Sequence, residues 1–410
     1  MSLIRRTLAY LYVELEIDIM AKLLLSCDDY VFRCNGKYYA RTQEKYDFYQ
    51  RYLRVFDKLR LVTRCVDEKQ LGKSRVSLDD SRIEFVPMPF FSGPLQYAKA
   101  YYKIYKQLKG ITDGCDAAIL RLPSTIAQRV CTKVMKSGIP YATELVFDAN
   151  DAMDNATNPI ERLLWSNIHR QMVNACNHAD GVACVTEHYL QKHYSSQKLD
   201  AFFGHYSSLA LDKSFYTGAR HFPIGKEISI AHVCTQVQFK GRKGYNEVIE
   251  AIAKLKKRGV DVSVNFAGPD YHDGISKLTN LAQTLGVGDR IHFIGGVSRT
   301  QLSEYLEKSD IYVMPTWAEG LPRVIIEAMA KGLPCITTPV SGNPELVEEH
   351  FLVPYYDTDT LADRIEELTK DVSLYEKTSR VNFERSKKYE ASLLEARRDD
   401  FYHNLMDKIK

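Results

Sequence analysis

At 410 residues the chain exceeds what one hydrophobic core usually fills, so two domains are expected. Hydrophobic residues make up 45% and charged residues 26%, the balance of a soluble globular protein, and no apolar run approaches the roughly 18 to 20 residues that span a bilayer. A net charge of +3 is too small to argue for nucleic acid, and the nine cysteines show no CxxC or other ligand spacing. Several cysteines sit in apolar runs such as Val182-Ala-Cys-Val185, which suits buried free thiols in a reducing cytosol rather than disulfides or a metal site.

Residues 1–19 carry Arg5 and Arg6, but Glu14, Glu16 and Asp18 interrupt any signal-peptide core. They read as an N-terminal extension ahead of Met20. From there, short apolar strands alternate with longer helical patterns, the signature of parallel α/β sheets. The first half gives strands at 22–26, 59–63, 83–86, 117–120, 141–146 and 181–185. Residues 201–226 lack periodicity and are broken by Gly204, Gly218, Pro223 and Gly225, so they form the expected interdomain link. The second half gives strands at 228–233, 262–267, 290–294, 311–314 and 335–337. The expected domains are 20–217 and 218–390, with a last helix at 391–410. Neither half has a GxGxxG after its first strand, so no dinucleotide cofactor is indicated.

Between residues 95 and 109 there is no acidic residue. Tyr97, Tyr101, Ile104, Tyr105 and Leu108 recur at helical spacing, while Lys99, Lys103, Lys106 and Lys109 lie outside that stripe. Such a helix could rest on an anionic membrane surface, or could pack its tyrosines on a sheet and show its lysines to water. Asp28-Asp29 lacks the DxD arrangement of a metal pair, and His188 reads as structural. Asn35-Gly36 suits a plain turn.

The most informative stretch is Trp317-Ala-Glu-Gly-Leu-Pro-Arg-Val-Ile-Ile-Glu-Ala-Met-Ala-Lys-Gly-Leu-Pro334. Pro322 suits the first helical position, and Gly332 with Pro334 closes the helix. Glu319 then lies in the turn before the helix and Glu327 in its second turn. Free N–H groups at the helix start suit a phosphate, and Glu327 leans back toward whatever is bound there. A carboxylate beside an anion site can take sugar hydroxyls. The apolar residues flanking Glu327 bury the helix on most faces, so that carboxylate needs partners.

Glu319 and Glu327, with seven residues between them, resemble the E-x7-E motif of the retaining GT-B glycosyltransferases, in particular their large family four. Val264-Asn-Phe-Ala-Gly-Pro, Ile291-His-Phe-Ile-Gly-Gly, Asp310-Ile-Tyr-Val-Met-Pro and Ser341-Gly-Asn-Pro-Glu345 also fall where that family has them. The resemblance covers most of residues 21 to 390. It implies an α/β GT-B fold: two Rossmann-like doubly wound domains facing across a cleft, with the C-terminal helix crossing back to the first.

The same resemblance implies roles. Glu327 would take the ribose hydroxyls of a nucleotide-sugar, Glu319 the hydroxyls of the transferred sugar, and backbone N–H groups at Gly320 and Leu321 the phosphate. The family's diphosphate-binding Lys-Gly falls on Lys243, counted back from Glu250-Ala251, with Lys240 competing for that role. The arginine common a few residues earlier is missing, and Arg242 or Lys240 could substitute. Gly36 is the best match to the family's N-terminal glycine loop. Arg121, Glu144 and Asp148 lie at strand ends that could meet acceptor. The expected activity is retaining, metal-independent transfer of a sugar, from a UDP-sugar or else a GDP-sugar, to a growing and lipid-linked glycan. Its setting would be bacterial surface polysaccharide synthesis, in the cytoplasm or peripheral at the inner membrane face. No cofactor is expected. A GT-B sugar-nucleotide epimerase and a non-catalytic partner of the same fold are the rivals.

Overall fold

The structure, a computed structural model, describes residues 20–409 apart from 155, 157, 210 and 226; the expected extension 1–19 lies outside them. The chain forms two compact units. One runs up to Tyr141 and takes in the C-terminus from Tyr402, and the other is Ala142–Phe401.

In the first unit, β1 (Lys22–Cys34) turns through Asn35-Gly36 into antiparallel β2 (Lys37–Ala40), which is followed by α1 (Gln43–Gln50). Both turn residues have positive φ, 49° and 76°, the conformation a two-residue hairpin requires and Asn-Gly supplies. Next come β3 (Lys58–Asp67), β4 (Val76–Ser77), β5 (Ile83–Pro89), α2 (Gly93–Gln107), β6 (Ala117–Leu122) and α3 (Thr125–Ser137). The parallel order is β5-β3-β1-β6, with β2 antiparallel to the last residues of β1 and β4 paired to β2. Leu23, Leu24, Leu25, Leu59, Leu61 and Ile119 form the buried centre of this sheet. They make the continuous apolar runs expected of strands covered on both faces.

The aromatic stripe of α2 is divided rather than continuous. Ile104 and Leu108 are buried, whereas Leu95 is 83% exposed, Tyr102 77% and Tyr105 59%. Arg129 and Lys133 of α3 lie over the rings of Tyr101 and Tyr105 at 5.3 and 5.2 Å. The inward face needs only two side chains per two turns, which leaves the tyrosines beside cations instead of on the sheet.

The second unit opens with β7 (Tyr141–Leu145), α4 (Ala149–Asp154), α5 (Pro159–Asn177), β8 (Gly181–Cys184) and β9 (Phe202–His205). Strand β9 pairs in parallel with β8, so structure enters the stretch expected to be a link. Its four residues are too few to show a period, and Gly204 is there because a Cβ would lie 2.8 Å from the Phe401 ring.

The elements that follow are β10 (Ile228–Val233), α6 (Tyr245–Lys257), β11 (Val262–Ala267), α7 (Gly274–Thr284), β12 (Ile291–Gly295), α8 (Arg299–Glu307), β13 (Ile311–Met314), α9 (Arg323–Ala330), β14 (Cys335–Thr337), α10 (Asn343–Leu346), α11 (Thr358–Lys370) and α12 (Val372–Ser386). Helix α13 (Ala391–Met406) ends the described chain. The five strands β10 to β14 are parallel in the order β12-β11-β10-β13-β14. The order reverses between β10 and β13, and in doubly wound sheets ligands bind at the carboxyl ends of the two strands flanking that point. No helix of the described residues is long and apolar enough to cross a membrane.

Candidate active site

The loops leaving β10 and β13 meet at this switch point, and glycine geometry determines how closely. Gly244, with φ of 74°, precedes α6, and a Cβ there would lie 2.3 Å from the Pro315 carbonyl oxygen. Only glycine allows both that backbone conformation and that approach. Arg242 continues the seam: its carbonyl accepts from the Trp317 N–H at 3.0 Å and the Thr316 hydroxyl at 2.9 Å. These contacts deliver Lys243 onto Glu319, and its Nζ is hydrogen-bonded to Glu319 Oε1. Burial pushes the Lys243 ammonium down to about 8, with the charge of Arg242 acting in the same direction.

Lys240 takes a different course. It has a φ of 51°, is exposed, and lies over the Phe239 ring while its N–H is held by Asn246 at 2.8 Å. Arg242 is also exposed. Cys234, half-buried after β10, and buried His232 complete the floor; burial drives the imidazole down to about 3, so it is neutral.

Helix α9 begins at Arg323 with Pro322 as its N-cap, one residue later than the sequence suggests, because Pro322 has the extended ψ of 107°. Glu327 remains in the second turn, half-buried, and Gly332 ends the helix with φ of 71°. Gly320 is buried because backbone approaches it closely: a Cβ would lie 2.1 Å from the Val146 carbonyl oxygen. Its own carbonyl accepts from the Gly342 N–H at 3.0 Å. Among the described residues the N–H groups of Gly320 and Leu321 meet no acceptor. An ammonium thus meets a carboxylate, and two backbone donors follow that carboxylate directly in the chain, a set that can hold a phosphate and the hydroxyls attached to it.

The other residues singled out in the sequence have different settings. Glu144, buried, accepts from the Tyr206 hydroxyl at 2.9 Å. Asp148, also buried, accepts from Tyr194 at 2.9 Å and stands 3.1 Å from His193 Nδ1. Nearby Asp151 accepts from Tyr189 at 2.8 Å, and burial, with Asp148 beside it, pushes its carboxyl up to about 6. Sequence reading named Asp148 but missed Asp151, Tyr189 and Tyr194 around it, for the members are scattered over residues 148–194 with no common motif. In the first unit, Gly36 is at the hairpin tip described above and Arg121 lies 4.9 Å over the Phe48 ring. The nine cysteines are free and seven are buried.

Residues 233–385 match the family described as glycosyl transferases group 1. Protein CapJ of Staphylococcus aureus is 26% identical over 309 residues, which cover 74% of this chain and 75% of CapJ. Several further curated relatives match over a shorter stretch, and the chain spans 31% of the length of one, an amylovoran biosynthesis glycosyltransferase. Sucrose-phosphate synthase from Thermosynechococcus elongatus shares the fold, with a TM-score of 0.72 at 16% identity over 94% of this chain and 99% of that one. HepE of Anabaena, solved in complex with UDP-glucose, gives 0.63 at 16% identity over 94% and 99%.

Proposed function

We propose that this chain, a group 1 glycosyltransferase with the GT-B fold, moves a sugar from a nucleotide-sugar to a growing glycan with retention of anomeric configuration. The observation that carries the reading is the meeting of Lys243, Glu319 and the N–H groups of Gly320 and Leu321 at the switch point of the second sheet. A bound donor would place its diphosphate against Lys243 and the two amides. Glu319 would exchange the ammonium for hydroxyls of the transferred sugar, and Glu327 would take the ribose hydroxyls.

In the reaction, the bond from the anomeric carbon to the phosphate oxygen breaks, and the acceptor oxygen bonds to that carbon from the same face. The acceptor proton passes to the departing phosphate oxygen, so no separate general base is required. Charge grows on the phosphate as the bond breaks, and a fixed ammonium and backbone dipoles stabilise it more in the transition state than in the ground state. Metal is not needed in this scheme, because those groups supply the positive charge.

A UDP-sugar is the favoured donor, since HepE is solved with UDP-glucose, and a GDP-sugar is second. The acceptor we favour is a lipid-linked glycan of a surface polysaccharide, met at the cytoplasmic face of a membrane. The exposed tyrosines and the lysines of α2 support that last point. A thermal-shift series against UDP-, GDP- and ADP-sugars tests the donor site. A ligand at a hundredfold its dissociation constant adds about 2.7 kcal/mol, a readily visible shift. No shift with any sugar nucleotide rejects the reading, and nucleotide release without acceptor would favour the epimerase.

A further inference from the structure

The Ser341-Gly-Asn-Pro-Glu345 run has no role in the scheme above, yet Glu345 makes an unusual set of contacts. Its Oε2 accepts from the Glu187 N–H at 2.6 Å, and its Oε1 from the N–H groups of His188 and Tyr189 at 2.9 and 2.7 Å. Three consecutive amides, more than 150 residues away in sequence, thus close on one carboxylate ahead of the 3-10 turn Leu190–Lys192. Bonds from N–H groups to an ionised carboxylate are about twice as strong as neutral ones.

The same turn and the same loop press on the phosphate amide. Gly342 donates to the Gly320 carbonyl, and a Cβ on Gly342 would lie 2.8 Å from that oxygen, 2.8 Å from Thr186 Cγ2 and 2.7 Å from Leu321 Cδ1. The Gly342 backbone is therefore a spacer between the 186–189 turn and Gly320. Asn343 fixes its other side by donating to Thr337 Oγ1 and the Thr338 carbonyl, both at 3.0 Å. Tyr189 ties the turn in addition to Asp151.

We propose that Glu345 is a positioning residue for donor binding: by clamping the amides of residues 187–189 it holds Gly342 behind Gly320, and so aims the Gly320 and Leu321 N–H groups at the diphosphate. This rests on the donor site assigned above. In Glu345→Gln the single carbonyl oxygen can satisfy only part of the triad, and the new NH2 faces backbone donors. UDP titrated calorimetrically into the full chain and into Glu345→Gln, with steady-state kinetics on both, tests it. The expected result is about a tenfold weaker UDP affinity and donor KM in the variant, equivalent to about 1.4 kcal/mol, with kcat changed less than about twofold. A purely structural role would lower stability without that split between KM and kcat.

Equal UDP affinity in parent and variant overturns the proposal and leaves the donor site standing. A parent chain that binds none of UDP, GDP or ADP overturns both. Should the variant not fold, amide hydrogen exchange on the parent decides. UDP should protect the amides of 187–189 and 342 together with those of 320 and 321, and protection confined to 320 and 321 overturns the clamp.

Discussion

Under the proposed mechanism turnover depends on Lys243, which is hydrogen-bonded to Glu319, and the roles of Lys243 and Glu327 separate in a mutant series. Lys243→Ala removes the ammonium proposed to meet the departing phosphate, so kcat should fall by about 10²- to 10³-fold, the scale of losing one preorganised charge stabiliser. Glu327→Ala removes the proposed ground-state contact to the nucleoside and should raise the donor KM by about tenfold with a smaller change in kcat. Steady-state kinetics at varied donor concentration check both, and wild-type constants in the two variants would displace the site from this switch point.

At the level of elements, Gly244 is the joint that sets the height of Lys243 above β13. Gly244→Ala must adopt a φ near 74° and push against the Pro315 carbonyl. It should destabilise the chain by about 1–3 kcal/mol and weaken donor binding, checked by urea unfolding and UDP titration. The Lys243-Gly244 pair was legible only through the family resemblance, counted back from Glu250-Ala251, and Lys240-Gly241 competed with it. Most strands were legible directly: in 228–233, 262–267 and 311–314 the apolar run is the buried strand. What escaped were elements too short to carry a period, β4 and β9, and the Asn35-Gly36 turn, legible as a turn but not as the bend of a hairpin continuing β1. Pro322 was misplaced by one position because both N-cap and first-turn sites accept proline's fixed φ; its ψ separates them. Nothing in the sequence foretold that Val146 backs Gly320, or that Glu345 gathers three amides, since close approach between distant segments leaves no local signature.

On the scale of the whole molecule, the proposed membrane contact makes its prediction on the first unit, where aromatic and basic side chains are exposed together. Leu95, Tyr101, Tyr102 and Tyr105 stand exposed among Lys99, Lys103, Lys106, Arg129 and Lys133. Tyrosine rings suit the depth of lipid headgroups, and each lysine near an anionic bilayer contributes about 1 kcal/mol. Cosedimentation with phosphatidylglycerol vesicles but not phosphatidylcholine vesicles is expected. Changing Lys99, Lys103 and Lys106 together to Glu should cut the partition coefficient by at least about a hundredfold while UDP binding persists. Equal sedimentation with both lipids would remove the membrane from the account.

The contact between Lys243 and Glu319 bears on how the proposed catalytic cycle would end. Bare phosphate could claim the lysine only by stranding the glutamate, whereas an intact donor compensates both at once. After transfer, the spent nucleotide has lost the sugar that occupied the glutamate. Under the proposed donor site, renewed attraction between the two side chains would then compete with the diphosphate for the lysine and would favour departure of the product.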